Sequence, residues 1–235
     1  MTGTAPIAVA LDARDLETAS AWARAVEPHV STLKIGLELF CRYGPEAIAS
    51  VRGGSRIQLF LDLKLNDIPN TVAGAVRSVA RLRPAYLTVH ALGGRAMIEA
   101  AAQELPDGVI TAVTILTSLD DGDLAEFGIA GSSQDAVRRL SVISVSAGAG
   151  AIVCSAREVA AVRAEVGPSI TLITPGVRAP GADAQDQARV ATPEQALADG
   201  ADLLVIGRQI TGAADPGAAA ASLAAALRRF SRAEK

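Results

Sequence analysis

Aromatic residues and basic clusters are the scarcest features of this 235-residue sequence. Phe, Tyr and Trp together make up 3% of the chain, and 22 basic residues are offset by 25 acidic ones, which gives a net charge of −3. A surface that binds nucleic acid needs a basic patch, and a single-strand site also needs aromatic side chains on which bases stack. The sequence therefore predicts no nucleic-acid partner.

Cysteine, histidine and long apolar runs are also in short supply. Cys41 and Cys154 have no Cys-x-x-Cys spacing, and His29 and His90 have no nearby His or Cys partner, so no transition-metal site is predicted. We expect both thiols to be buried and reduced, which fits the cytosol. The apolar run at 203–206 is far too short to cross a membrane, and the N-terminal segment lacks the basic region of a signal peptide. We expect a soluble, cytoplasmic protein.

Short β-rich runs alternate with Ala-rich segments of helical period along the whole chain. Strands are predicted at 7–11, 32–35, 57–61, 86–90, 109–115, 151–154, 170–174 and 203–206. Helices are predicted at 16–26, 71–82, 96–104, 133–147, 159–166, 193–198 and 216–230. This alternation is typical of a (β/α)8 TIM barrel, here a single α/β domain over residues 1–235. An open, doubly wound sheet is the alternative, but no Gly-x-Gly-x-x-Gly follows the first strand.

Polar residues recur at the carboxyl ends of these predicted strands, where barrel enzymes place their active sites. Taken one at a time, such residues are more often helix caps, turn formers or satisfied core groups. Their shared location favours an active site instead. The residues concerned are Asp12, Lys34, Asp62, Lys64, His90, Thr117, Ser118, Arg178, Gly207 and Arg208.

The segment 62–71, Asp-Leu-Lys-Leu-Asn-Asp-Ile-Pro-Asn-Thr, carries two carboxylates and an ammonium directly after an apolar run. Alternation along a strand places Asp62 and Lys64 on the same side, about 7 Å apart along the backbone. Carboxylates keep a neighbouring lysine protonated even where it is partly desolvated. The pattern therefore predicts that Lys64 is a general acid and not a Schiff-base nucleophile. A salt-bridge ladder without a catalytic role is the alternative.

A phosphate site is predicted at the loops after the seventh and eighth strands. The last strand runs directly into Gly207 and Arg208, a glycine that allows close approach of an anion and a guanidinium that can pair with it. Barrels often bind phosphate at these two loops. The segments 174–181 and 186–190 supply further donors.

These segments together resemble the orotidine 5′-phosphate decarboxylase family, of the shorter bacterial type. The similarity extends from Ile7 to about Phe230, and its most specific element is Asp-x-Lys-x-x-Asp-Ile-Pro-x-Thr at 62–71. Leu65 and Asn66 stand where members more often have an aromatic residue and a histidine, and both lie between the charged positions. The other matching motifs are at 10–12, 33–36, 89–91, 116–118, 174–178, 186–190 and 205–208.

The resemblance implies decarboxylation of orotidine 5′-phosphate to uridine 5′-phosphate, the last step of de novo pyrimidine synthesis, with no metal or organic cofactor. It makes Lys64 the proton donor to a carbanion at carbon 6 and Asp62 the carboxylate beside the substrate carboxyl. Asp67 and Thr71 would reach into the active site of the partner in a homodimer. The further substrate contacts that it implies are Asp12 and Lys34 to the ribose, Thr117 to the pyrimidine, and Arg178, Gln187, Gly207 and Arg208 to the phosphate and its closing loop.

Two other functions remain open. The first is a related barrel such as hexulose-6-phosphate synthase, which shares an Asp-x-Lys-x-x-Asp core but uses magnesium, so that a chelator test separates the two. The segment 68–71 and the pair Arg178 and Gln187 favour the decarboxylase. The second is a barrel that binds nucleotides without catalysis. Every acid–base position is filled, which argues against it, and a turnover assay would exclude it.

Overall fold

Eight parallel strands form a closed sheet in the computed structural model, which describes residues 4–177 and 191–233. Each strand pairs with the next in sequence, and β1 pairs with β8, where Ile7 lies opposite Leu204. An open sheet would leave these two strands as edges, so the predicted (β/α)8 barrel is confirmed. The strands are β1 (Ala5–Ala10), β2 (Val30–Ile35), β3 (Gln58–Leu65), β4 (Tyr86–His90), β5 (Val109–Val113), β6 (Ala151–Val153), β7 (Thr171–Pro175) and β8 (Leu203–Ile206).

Helices follow the strands and cover the outside of the sheet. Within the described ranges they are α1 (Leu16–Val26), α2 (Leu37–Tyr43), α3 (Pro45–Arg52), α4 (Pro69–Ala80), α5 (Arg95–Gln103), α6 (Asp121–Glu126), α7 (Ser133–Ser146), α8 (Val159–Val166), α9 (Pro193–Ala198), α10 (Arg208–Thr211) and α11 (Pro216–Ala233), with a short 3-10 turn at Ala91–Gly93. None of these helices is long and apolar enough to span a membrane.

Side-chain caps fix the first residues of several helices where the sequence predicted them. The Asp15 side chain accepts a hydrogen bond from the Thr18 amide at 2.7 Å, and α1 begins at Leu16. Ser132 and Thr192 cap α7 and α9 in the same way. Each cap satisfies an amide that would otherwise lack a partner in the first turn, so the helix begins at a defined residue.

Apolar side chains point from the strands to both sides of the sheet. A small cluster fills the inside of the barrel, and in it the rings of Phe60 and Tyr86 meet edge to face with centroids 6.0 Å apart. The larger core lies between the sheet and the helices and includes Leu59, Leu61 and Leu87. The strands are therefore apolar on both faces, as expected for a parallel sheet covered by helices.

Strand β3 carries two more residues than its neighbour near its carboxyl end. Leu61 lies opposite Leu87 and Leu65 lies opposite Val89, so the residues 62–64 face a single residue of β4. The extra residues form a bulge that turns the strand locally. The strand also runs to Leu65, past its predicted end at residue 61. Asp62 and Lys64 therefore belong to the strand itself.

The two cysteines differ in burial, contrary to expectation. Cys154 is buried at the end of β6, as predicted, and both thiols are free. The prediction for Cys41 is wrong, because this residue is exposed on α2. The sequence did not predict α2, which lies at the surface and buries only Leu39.

Candidate active site

The polar residues predicted at strand ends lie at one end of the barrel. Lys34 is the second-last residue of β2, and Asp62 and Lys64 fall within the last four residues of β3. The closed sheet brings these ends around a common axis, so side chains distant in sequence face one another. Asp12, Thr117 and Gly207 lie in the loops after β1, β5 and β8.

The carboxylate of Asp62 lies between two ammonium groups. Its Oδ1 is 2.7 Å from Nζ of Lys64, and its Oδ2 is 3.4 Å from Nζ of Lys34. Lys34 also contacts Oδ1 of Asp12 at 3.4 Å. The Asp62 side chain is 14% exposed and that of Lys34 is 9% exposed, so water screens the attraction between these two groups poorly. The four side chains form a charge-paired chain with Lys64 at its open end.

The neighbouring cations keep Asp62 ionised. Burial is the largest single influence and by itself raises the pKa of this carboxyl group. The charges of Lys34 and Lys64 and the hydrogen bonds from Lys64 and Thr88 act in the opposite direction. Together they outweigh burial and lower the pKa below its ordinary value of 3.8. A negative charge is thus fixed beside Lys64 at neutral pH.

His90, at the end of β4, interacts electrostatically with Lys64 and Asp62. Burial lowers the pKa of its imidazole, the positive charge of Lys64 lowers it further, and the negative charge of Asp62 opposes both. The result is a pKa below the ordinary value of 6.5. His90 is therefore neutral at pH 7.

Glycine at position 36 leaves room for the Lys34 and Asp12 side chains. A Cβ atom added to Gly36 would lie 2.9 Å from Nζ of Lys34 and 3.1 Å from Oδ1 of Asp12. Any larger residue would push at least one member of the ion pair aside. Gly36 belongs to the motif at 33–36, but the sequence alone does not show why this position requires a glycine.

Two adjoining cavities open beside this network. One is largely apolar and is lined by Phe60, Val113, Ile115 and Cys154, with Lys64 and Thr117 at its polar side. The other is lined by Asp12, Gly176, Gly207 and Arg208. Lys34 and Asp62 line both, so the two cavities meet at the charged network. The site can hold a ligand with an apolar ring at one end and an anionic group at the other.

Asp67 and Thr71 lie on the rim and not in the network. Asp67 is exposed, and its Oδ1 accepts a hydrogen bond from the Ile68 amide at 2.6 Å. Thr71 is exposed in the first turn of α4. Among the residues that the structure describes, no ion pair joins Asp67 to Lys64 of the same chain. Their predicted reach into a partner's site stays a prediction.

The phosphate residues predicted from the sequence are only partly described. Gly207 precedes α10 and Arg208 is its first residue, and both line the second cavity. Arg178 and Gln187 lie outside the described residues, and their roles stay predictions. Within 4–177 and 191–233, no three His, Cys, Asp or Glu side chains are grouped so that they could hold a metal ion.

Thr88 is a site residue that the sequence reasoning missed. Its side chain is fully buried on β4 and touches both Asp62 and the backbone of Lys64. A signal was present, because alternation along the predicted strand places Thr88 on the same face as His90. It went unused because an isolated threonine in a strand is usually only a good strand former.

Comparisons of sequence and of structure with known proteins point to the same family. The profile of the "Orotidine 5′-phosphate decarboxylase / HUMPS family" matches residues 5–223. The chain is 67% identical over 225 residues to the orotidine 5′-phosphate decarboxylase of Thermobifida fusca (strain YX), an alignment that covers 96% of this chain and 97% of that protein. It is 54% identical, over an alignment of 248 positions, to the protein of the same name from Frankia casuarinae, and the alignment covers 98% of this chain and 90% of that protein.

Solved structures show the same architecture. The crystal structure of orotidine 5′-phosphate decarboxylase from Lactobacillus acidophilus superposes with a TM-score of 0.83 at 31% identity, covering 95% of this chain and 99% of that one. An uncharacterised conserved protein from Geobacillus kaustophilus superposes with a TM-score of 0.81 at 33% identity, covering 94% of this chain and 100% of that one.

The charge of Lys64 can be detected through His90. Replacing Lys64→Met removes a cation that disfavours imidazole protonation, so the pKa of His90 should rise toward 6.5. Titration of the imidazole proton resonances by NMR measures this, and the chain has only two histidines to assign. His29 directly precedes β2, at the opposite end of the barrel, so its resonances serve as the reference. If the pKa of His90 stays the same or falls in this variant, the Lys64 ammonium does not act on the imidazole as described.

Proposed function

The chain belongs to the orotidine 5′-phosphate decarboxylase / HUMPS family, and from this we propose that it is a carboxy-lyase that converts orotidine 5′-phosphate to uridine 5′-phosphate in pyrimidine biosynthesis. The observation that carries the proposal is the ammonium group of Lys64, which lies 2.7 Å from the partly buried, ionised carboxylate of Asp62 at the mouth of an apolar cavity. The proposed active site of the enzyme lies at the carboxyl ends of the strands of a single barrel domain.

Lys64 supplies the positive charge that the reaction requires. When the bond between carbon 6 and the carboxyl carbon breaks, carbon dioxide leaves and the electron pair stays on carbon 6. No adjacent carbonyl can take up that charge, so a fixed cation is the remaining means of stabilising it. An Nζ–H proton of Lys64 then forms the new bond to carbon 6, and the neutral amine regains a proton from water.

Asp62 prepares Lys64 for this step in two ways. Its negative charge keeps the lysine protonated before the reaction, and its Oδ1 fixes the position of Nζ. The same carboxylate lies beside the departing substrate carboxylate in the proposed complex. Lys34 balances the charge of Asp62 from the other side, which keeps the carboxylate ionised in a partly buried position.

The two cavities match the two ends of the nucleotide. The apolar cavity lined by Phe60 and Ile115 suits the pyrimidine, and Thr117 there can bond to its polar edge. Lys34, which lines both cavities, and Asp12, which lines the second, are assigned to the ribose hydroxyls. This assignment puts carbon 6 next to Lys64.

The phosphate belongs in the second cavity. Gly207 and Arg208 line it at the end of β8, and a guanidinium binds phosphate through charge-assisted hydrogen bonds. The family resemblance adds Arg178 and Gln187 to this group. Binding energy from a phosphate remote from the reacting carbon can be expressed in the transition state, which raises kcat.

We also propose a homodimer in which Asp67 and Thr71 complete the partner's active site. Both side chains are exposed on the rim of their own barrel, and neither lines the two cavities that meet at Asp62. Ile68, between them, is 67% exposed, and Leu92 in the loop after β4 is 53% exposed. Exposed apolar side chains beside functional polar groups are typical of a surface that a partner covers.

The proposed reaction uses side chains alone, so it predicts no metal and no organic cofactor. This separates it from the magnesium-dependent reaction on a sugar phosphate. The predicted cytoplasmic location is part of the same proposal and is supported by the free thiols of Cys41 and Cys154.

One assay tests the activity directly. The ultraviolet absorbance of orotidine 5′-phosphate is followed with purified enzyme, with and without a metal chelator. The proposal predicts conversion to uridine 5′-phosphate at the same rate in both. No conversion, or conversion that stops on chelation, would reject it.

Arg208→Ala should weaken selection for the phosphate. Loss of the guanidinium should lower kcat/KM for orotidine 5′-phosphate by at least about tenfold while changing that for orotidine, which has no phosphate, far less. Steady-state kinetics on both substrates measure the ratio. Arg228→Ala, an exposed arginine on α11, is the matched control and should behave as wild type. The phosphate assignment fails if Arg208→Ala keeps the wild-type selectivity.

Mixed dimers test the shared active site. Asp67→Ala and Lys64→Ala homodimers should each be nearly inactive, because every site lacks one group. Co-refolding equal amounts makes half of the dimers mixed, each with one intact site of two, so about a quarter of wild-type activity should return. Activity assays and mass spectrometry of the assembled dimers measure both quantities. Verified mixed dimers without activity would show that Asp67 does not serve the partner's site.

A further inference from the structure

Lys64 has an unusual backbone conformation for a residue with a side chain. Its φ is 48°, in the left-handed region, and it lies in the bulge where β3 has two extra residues. A Cβ atom disfavours this region, so residues in it are held there by their surroundings. Such conformations concentrate at functional sites. Something near Lys64 must stabilise the turned backbone.

The hydroxyl group of Thr88 is in contact with that backbone. The amide of Lys64 donates to Oγ1 of Thr88 at 2.8 Å, and this hydroxyl donates to Oδ1 of Asp62 at 3.1 Å. Because an amide can only donate, the single hydroxyl proton is directed to the carboxylate. The side chain of Thr88 thus replaces the main-chain acceptor that the bulge removes from the β3–β4 ladder.

We propose that Thr88 is a positioning residue, whose hydroxyl group holds Lys64 in its reacting conformation by binding the Lys64 amide and Asp62 at once. The inference rests on the proposed decarboxylation. Oδ1 of Asp62 also accepts from Nζ of Lys64 at 2.7 Å, so one carboxylate oxygen connects Thr88 to the reacting end of the lysine. Both ends of the Lys64 residue are therefore anchored through the same threonine.

Thr88 acts through Lys64 and Asp62 and does not bind the substrate. It is fully buried, beneath the charged network, so a substrate in the cavity does not reach it. Loss of its hydroxyl should allow the Lys64 ammonium to shift, and a displacement of about 1 Å in a reacting group can cost on the order of 100-fold in rate. The phosphate contacts are unaffected. The loss should therefore fall on kcat and leave KM nearly unchanged.

The same hydroxyl also affects the titration of Asp62. The groups that face this carboxylate are Lys34 from β2, Lys64 from β3 and His90 from β4, with Asp12 behind Lys34. The hydrogen bond from Thr88 favours the ionised form. Without it Asp62 takes up a proton at a higher pH, so the acid limb of the kcat/KM profile should move to higher pH.

Four variants separate positioning from packing. Thr88→Val keeps the shape and removes the hydroxyl, Thr88→Ala removes it without steric demand, and Thr88→Ser retains it. Thr111→Val is the matched control, because Thr111 is also fully buried, lies directly opposite Thr88 on β5, and donates only to a main-chain carbonyl, that of Val109 at 3.3 Å. Kinetics on orotidine 5′-phosphate across the pH range and thermal unfolding are measured for all four.

The hydroxyl-free variants should be folded, with kcat reduced by about 10- to 100-fold, KM near wild type, and the acid limb at higher pH. Thr88→Ser should recover most of kcat, and Thr111→Val should match wild type. The proposal is overturned if Thr88→Val and Thr88→Ala behave like Thr111→Val, or if both fail to fold while Thr111→Val folds. A wild-type enzyme without decarboxylase activity would reject the proposed function itself, a result distinct from either.

Discussion

The carboxylate of Asp62 is the group on which the site depends, because it contacts Lys64 at 2.7 Å and Lys34 at 3.4 Å in a position that is 14% exposed. Burial alone raises the pKa of this carboxyl group and the two cations lower it, so removal of one partner leaves a costly, poorly compensated charge. The arrangement is thus mutually supporting. Asp62 keeps Lys64 protonated and in place, and the two lysines keep Asp62 negative. The proposed reaction uses one member of this set, the ammonium at the open end, as both electrostatic stabiliser and acid.

The barrel explains how one carboxylate can be surrounded in this way. Adjacent parallel strands deliver Lys34 from β2, Asp62 and Lys64 from β3, and Thr88 from β4 to the same end of the sheet. Closure between β1 and β8 brings Gly207 and Arg208 to the far side of the same opening. The bulge in β3 then turns Lys64 out of the regular ladder, so that its side chain faces the apolar cavity while its amide is satisfied by Thr88.

Much of this could be predicted from the sequence, because its strongest signals are periodic. The apolar runs gave all eight strands, and the caps at Asp15, Ser132 and Thr192 mark helices at their predicted starts. Helices α2, α3, α6 and α10, each of four to eight residues, were missed, because so short a helix shows its period only weakly. Helices α8 and α9 are as short and were nevertheless predicted. The burial of Cys41 was wrongly predicted because α2, the surface helix that carries this residue, was not predicted. The role of Thr88 depends on a strand register and a bulge, which no local pattern encodes.

A double-mutant cycle tests the central claim, that Asp62 and Lys64 work as one unit, most directly. The kcat/KM for orotidine 5′-phosphate is measured for Asp62→Ala, Lys64→Ala and the double variant, with folding verified for each. If Asp62 acts by charging and placing Lys64, the double variant should be no slower than Lys64→Ala alone, because the aspartate has nothing left to support. Losses that multiply, so that the double variant is slower by the product of the two single effects, would contradict the account.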